Sequence, residues 1–318
     1  MKTLSLLSIL IFSQSIFANS LTSFFKSEQA DFLCKKAKLE EGNTAKTLIK
    51  EIEASDNFVI VGFSDRNDAV ISINNLAGEE IVKLNLKGEI RDIKLENEIV
   101  YILIGTELRV YDISQLKFVS NIRTLPENYE YTKYIIPFEL TVSENKIFIA
   151  HGEIGIIQVA KENLVIEKVL NIIVPQPHSG HRSLFSGVAF NNDQLFIGVD
   201  NITYDFGKKK RAFEGVVVFD LEKNKNTKVI SVNQRQEAYH EPSMIFSDGK
   251  LYINNLNLYF EHGLKNIMNT RRYLRPDKRI YNFKPGYLVN KGFIKNGHMH
   301  GCFEERETFK LVAGSSKI

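Results

Sequence analysis

Six short segments of this chain share one pattern: a strand-like run, a polar turn, then a second apolar run. They are Ile52–Gly62, Ile93–Gly105, Leu140–Gly152, Val188–Asp200, Met244–Asn255 and Cys302–Gly314. In the first five the turn is rich in Asn, Asp, Ser or Gly, residues that suit tight hairpins. The sixth turn, EERET, matches less well. Aligned on the first apolar residue after the turn, the anchors are Phe58, Ile99, Ile147, Leu195, Leu251 and Phe309, spaced by 41, 48, 48, 56 and 58 residues.

Two further strand-like runs follow each of the first four hairpins. Blade one continues with DAVISINN and EEIVKLNL, blade two with ELRVYDIS and LKFVSNI, blade three with IGIIQVA and LVIEKVLNI, blade four with GVVVFDLEK and TKVISV. Alternation of this kind marks half-buried strands. Four strands per repeat with a period of roughly 40–50 residues indicate a β-propeller. A β-sandwich, the competing all-β solution, has evenly spaced strands without this four-strand period. The expected fold is therefore all-β: a single propeller of about six, alternatively five, four-stranded blades over residues 47–318. The long insertion Asn257–Lys284 obscures blade five, and the sixth repeat lacks two outer strands.

Glu107–Ile122 and Gly215–Val232 resemble the outer half of the YVTN and LVIVD propeller repeats. There an apolar strand ends in an Asp and a polar turn leads to the next strand. Asp112 and Asp220 hold that place, and blade three has Ala160 near it. The resemblance implies the fold and no particular activity, because such scaffolds host many functions. The chain has no Trp, which argues against the quinone-dependent propeller dehydrogenases with their tryptophan docking motifs.

Residues 1–18 read as a cleavable leader: Lys2, a short apolar run from Leu4 to Phe12, and Ala18 as the small residue before cleavage. The run is well short of the ~20 apolar residues that span a bilayer. The mature chain is thus expected to be periplasmic or secreted, with no transmembrane segment and at most an association with the envelope surface. A helical segment occupies residues 19–46. In it Ala30, Leu33, Cys34 and Ala37 form one apolar face, Ser27 caps the start and Gly42 ends the helix. The two cysteines, Cys34 and Cys302, are expected to pair in an oxidising compartment.

Histidines cluster on the approaches to the hairpins. His240 and His298 are each eleven residues before an anchor, Leu251 and Phe309, which makes them equivalent in neighbouring blades. Glu241 and His300 lie beside them, and His181 approaches blade four. Arg91 and Glu139 share an offset of eight residues. These seven residues are the expected ligand-binding rim. Imidazoles with a carboxylate suit zinc, or acid–base work near neutral pH. Asp65, Asp68, Asp200 and Asp205 bring in calcium, without a complete ligand loop. No cofactor is expected; zinc and calcium are the two metals the residues admit. Residues that bond to backbone and close the channel are the alternative reading.

Charge is uneven. Residues 1–200 carry 20 Lys+Arg against 26 Asp+Glu, and residues 201–318 carry 21 against 12. The basic excess sits in two runs: Lys208, Lys209, Lys210 and Arg211, then Arg271, Arg272 and Arg275 within the blade-five insertion. They make a positive surface for a protein or anionic glycan partner; a nucleic-acid partner is not expected. The resulting expectation is an exported, non-enzymatic propeller that binds through its rim and its basic insertion. A propeller hydrolase or lactonase, using a rim metal or a His/Glu pair, is the alternative.

Overall fold

The computed structural model describes residues 21–36, 48–65, 67–125, 136–174, 182–205, 208–231, 243–247, 249–255, 258–263, 278–280, 287–305 and 311–317. The expected leader, residues 1–18, lies outside them. Blade one is β1 (Leu48–Ala54), β2 (Phe58–Ser64), β3 (Asp68–Asn75) and β4 (Glu80–Lys87). Blade two is β5 (Ile90–Glu96), β6 (Ile99–Ile104), β7 (Glu107–Asp112) and β8 (Lys117–Arg123). Blade three is β9 (Glu139–Val142), β10 (Lys146–His151), β11 (Gly155–Ala160) and β12 (Ile166–Leu170). Blade four is β13 (Arg182–Asn191), β14 (Gln194–Asp205), β15 (Lys208–Asp220) and β16 (Lys225–Ser231). Blade five is β17 (Ser243–Ser247), β18 (Lys250–Asn255), β19 (Leu258–Gly263) and β20 (Lys278–Ile280). The last sheet is β21 (Tyr287–Lys295), β22 (His298–Glu305) and β23 (Leu311–Lys317). The helix α1 spans Glu28–Lys36.

Each sheet is an antiparallel meander with its strands in sequence order. The fold is that of a β-propeller: five four-stranded blades, a three-stranded sixth sheet and a short N-terminal helix. The count of six four-stranded blades therefore gives way to five. Blade five builds its outer strands, β19 and β20, from the stretch read as an insertion.

The repeat extends to details below the level of strands. Where β7 passes to β8, the Asp112 carboxylate accepts from the Ser114 hydroxyl at 2.6 Å and from the Gln115 N–H at 3.0 Å. Where β15 passes to β16, Asp220 accepts from the Lys223 N–H at 2.8 Å and from its ammonium at 2.6 Å. Both carboxyls are held below the usual range, Asp112 first by Ser114 and Asp220 first by Lys223. The Asp closing the third strand is thus a turn cap. Asn75 does the same work in blade one, accepting from the Glu79 N–H at 3.0 Å. The fourth strand then carries one extra residue: Ile81, Val119, Glu167 and Thr227 each sit at a register slip in β4, β8, β12 and β16. These bulges recur at one place, so they are part of the repeat.

The chain divides into two compact units, Met1–Glu89 with Tyr281–Ile318, and Ile90–Ile280. In the first, the apolar face of α1 joins Val59, Val61, Phe63, Phe293 and Leu311 in one core. The Ser27 hydroxyl caps the helix, accepting from the Ala30 N–H at 3.2 Å. Cys34 and Cys302 form the expected disulfide, with Cα atoms 5.6 Å apart. Asp31 on the same helix accepts from the Ala313 N–H of β23 at 3.1 Å. Ala313 is the cross-strand partner of Cys302. The helix is thus fixed covalently to β22 and by a charge-assisted hydrogen bond to the edge strand β23. Covering an edge strand in this way removes a template for unwanted pairing.

The first hairpin of the last sheet is not Cys302–Gly314. It turns at Asn296-Gly297, with φ of 51° and 68°, so that Lys295 pairs with His298. Two successive residues at positive φ make the tightest hairpin turn, and Asn-Gly is its usual sequence. Cys302 therefore lies in the middle strand, not the inner one, and the anchor is Met299, 48 residues after Leu251. Phe309, the anchor read from sequence, lies outside the described residues.

Candidate functional site

In the second unit the first strands of successive blades, β5, β9, β13 and β17, lie side by side. An inner strand has its sheet on one side only, so its other backbone N–H groups need partners. Two carboxylates supply them. Asp92 pairs with Leu103 in its hairpin, and Glu139 holds the matching place against Ala150. Gly187 and Ser243 hold it in blades four and five, against Gly198 and Asn254.

Asp92 of blade two accepts from the N–H of Leu140 in blade three at 2.7 Å. Its other oxygen accepts from the Ile93 N–H at 2.8 Å and the Lys94 ammonium at 3.2 Å. Glu139 of blade three accepts from the N–H of Val188 in blade four at 2.8 Å. It also accepts from the N–H of Met244 in blade five at 3.2 Å. Each donor is the residue just after the equivalent position. Glu139, one methylene longer than Asp92 and facing Gly187, reaches two blades onward. Both carboxylates are buried. This is a chain of charge-assisted hydrogen bonds that ties blades two to five together by their inner strands.

Arg91 and Glu139, grouped by their offset, therefore occupy neighbouring inner strands. Arg91 is the extra residue at a register slip in β5, between Ile90 and Asp92. Asp92 and His151 carry geometry that the sequence reading passed over. His151 ends β10 and is fully buried. The Thr124 hydroxyl donates to the Thr106 carbonyl at 2.9 Å, so it accepts from Nε2–H of His151 at 3.3 Å. Nδ1 is then the bare nitrogen, and it has no partner among the described residues. Burial pushes this imidazole down to about 4.

In the first unit His298 opens β22, directly after the Asn-Gly turn. It is not on the approach to an inner strand, so its equivalence with His240 does not hold. Its Nδ1 donates to the Asn296 carbonyl at 3.0 Å. His300 is 1% exposed. Its ring lies against Phe25 and Phe293, with centroids at 5.6 and 5.3 Å, and 5.9 Å from the ring of His298. Burial first, then the charges of His298 and Lys295, push His300 down to about 4. At neutral pH it is an uncharged member of an aromatic cluster. The strand pair is close at this point: a Cβ on Gly292 would meet the His300 carbonyl oxygen at 2.4 Å.

His181, His240, Glu241, Arg271, Arg272 and Arg275 lie outside the described residues. Lys208, Lys209, Lys210 and Arg211 begin β15, where they pair with Asp205, Tyr204, Thr203 and Ile202. At 12 and 13 residues β14 and β15 are about twice the length of β6 and β7, at 6 each. The basic run thus lies on a hairpin that extends beyond the common blade. Asp65 performs turn chemistry, accepting from the N–H groups of Asn67 and Asp68 at 2.7 and 2.8 Å. Among the described residues no group of three metal-ligating side chains converges. No described helix is long and apolar enough to cross a membrane.

The fold and the inner-strand network define a β-propeller. A comparison with one solved structure agrees on that class. The β-propeller domain of Cps50 (Swd1) from Myceliophteria thermophila is similar over 85% of this chain and 89% of its own, with a TM-score of 0.51 and 12% identity. BamB from Moraxella catarrhalis is similar over 86% of each chain, with a TM-score of 0.47 and 10% identity. No protein-family model and no curated protein matches the sequence.

Proposed function

We propose that this chain is an exported, non-enzymatic β-propeller of the YVTN/LVIVD type that binds an anionic glycan or an acidic protein surface. The observation that carries the reading is the basic run Lys208–Arg211 on the lengthened β14–β15 hairpin. A hairpin that outgrows the blade adds nothing to the common core, and four consecutive cations along it suit an anionic partner. To the same partner we assign Arg271, Arg272 and Arg275, and to a polar rim His181, His240 and Glu241, on their sequence positions alone, since all six lie outside the described residues. The leader-like residues 1–18 and the Cys34–Cys302 disulfide support an oxidising compartment, periplasmic or extracellular.

Three features favour a binder over an acid–base enzyme. The Asp92 and Glu139 carboxylates are occupied by backbone N–H groups, and His300 is walled in by phenylalanines. The test is binding to a sulfated polysaccharide across a salt series. Exposed charges are screened within about 8 Å at physiological ionic strength, so affinity should fall steeply as salt rises. Reversing Lys208–Arg211 to glutamates should abolish the salt-sensitive part. Binding that ignores both changes refutes the proposal.

A further inference from the structure

The outer strands of the blades differ in how they meet solvent. β4 alternates exposed and half-buried residues, with Lys87 ion-paired to Asp68 at 2.5 Å. β12 is five residues long, and its Glu167 pairs with Lys146 of β10. β8 has neither pattern. Lys117 to Asn121 are exposed without a break, as is Arg123. Phe118 and Val119 are 42% and 46% exposed, and Leu116, just before the strand, is 56% exposed. Phe118 is held in place edge-on against Tyr111, with centroids 5.1 Å apart. β8 pairs with β7 alone, so its far edge carries no ladder among the described residues. After the slip at Val119, Ser120 to Arg123 run in regular register with β7.

Such an edge usually carries protection: charge across its centre, a short length or a cover. Here the charges are at the ends, with Phe118, Val119 and Ile122 between Lys117 and Arg123. Neither Lys117 nor Arg123 has an ion pair among the described residues. Glu107, opposite Arg123, is engaged by Arg109 at 2.8 Å. The charge pattern selects the occupant. In an antiparallel pairing of β8 with a second copy, centred on Ser120, Lys117 of one copy would face Arg123 of the other at both ends. Like charges directly opposite destabilise a sheet. An added strand with an apolar centre and acidic ends meets the same edge with opposite charges at both ends.

We propose that the free edge of β8 is a β-augmentation site for an extended segment of a partner protein, apolar at its centre and acidic at its ends. Backbone hydrogen bonds along the edge supply the affinity, and the exposed apolar side chains with Lys117 and Arg123 supply the choice of partner. A single added strand buries less than standard interfaces do, so the association is of the weak, transient class. This surface is separate from the basic hairpin of blade four and stands or falls without it.

The test uses the full chain and two fluorescent peptides. Both alternate valine and threonine; one is bracketed by glutamates and the other by lysines. The glutamate-ended peptide should raise anisotropy saturably, and the lysine-ended peptide should bind at least tenfold more weakly. The double variant Lys117→Glu with Arg123→Glu should invert that preference. Both side chains are exposed, so an unchanged melting temperature shows that the variant folds. The single variant Val119→Lys should weaken both peptides. Equal binding of the two peptides, no binding of either, or a preference that survives the charge reversal overturns the proposal. So does concentration-dependent dimerisation abolished by Val119→Lys, because it assigns the edge to a second copy.

Discussion

Acid should destabilise this protein well above the range in which carboxylates titrate, because of two histidines. His151 and His300 are both buried, and burial pushes each from an ordinary 6.5 to about 4. An unfolded chain takes up these protons near pH 6.5, and the folded chain resists until about pH 4. Between those limits the unfolded state binds more protons, so stability rises with pH. The contribution is fully present above pH 6.5 and is lost as pH falls towards 4. A tenfold difference in proton affinity between the two states corresponds to about 1.4 kcal/mol, so at pH 4.5 each histidine has withdrawn about 2–3 kcal/mol. Against a typical domain stability of about 5–15 kcal/mol, that is a large fraction. The assay is urea unfolding followed by circular dichroism, at constant ionic strength, from pH 7.5 to pH 4.5. His300→Phe keeps an aromatic ring against Phe25 and Phe293 but cannot titrate. Its stability should fall less over this range, by about the share of one histidine. Subtracting the two curves removes the carboxylates common to both proteins. Parallel curves for the wild type and His300→Phe would show that His300 is protonated as readily in the folded chain as in the unfolded one, and would refute the argument.

Three further outcomes follow from named contacts. Glu139→Ala should cost about 3 kcal/mol or more in urea unfolding, because it leaves the buried Val188 and Met244 N–H groups without their carboxylate, and each unmet buried donor costs about 1–3 kcal/mol. Reducing Cys34–Cys302 should lower the melting temperature. The loop closed spans 268 residues, for which chain entropy sets an upper bound of about 5–6 kcal/mol, with about 2–4 more usual; equal melts with and without reductant would count against it. Gly292→Ala should destabilise the chain by about 1–3 kcal/mol, since its Cβ meets a backbone oxygen rather than a movable side chain, and a neutral melt would show that β21 and β22 separate easily.

Much of this molecule was legible before its structure, and the residues show why. Strand alternation and turn chemistry are local, so blades one to four could be read hairpin by hairpin, together with the Ser27 cap and the apolar face that points Cys34 inward. Asp112 and Asp220 were visible as a motif, although the turn-capping that explains them needed atoms. The apolar runs of Cys302–Gly314 resemble those of the other hairpins, yet they belong to the second and third strands of the last sheet, one strand later than the true first hairpin. Asn296-Gly297 was the stronger local signal, since few pairs accept two successive positive φ angles. The outer strands of blade five were hidden for another reason: β20 is only three residues long and leaves no periodicity to see.

The inner-strand clamp belongs to a different level. Asp92 meets the N–H of Leu140, 48 residues away, and Glu139 meets that of Met244, 105 residues away. A backbone N–H looks the same in every residue but proline, so no side-chain pattern announces which one a carboxylate will find. The sequence by itself determined the blades, because each hairpin is decided by its own turn and its own alternation. Only the tertiary structure decided where the buried charges go, because their partners are backbone groups that become neighbours when the blades pack.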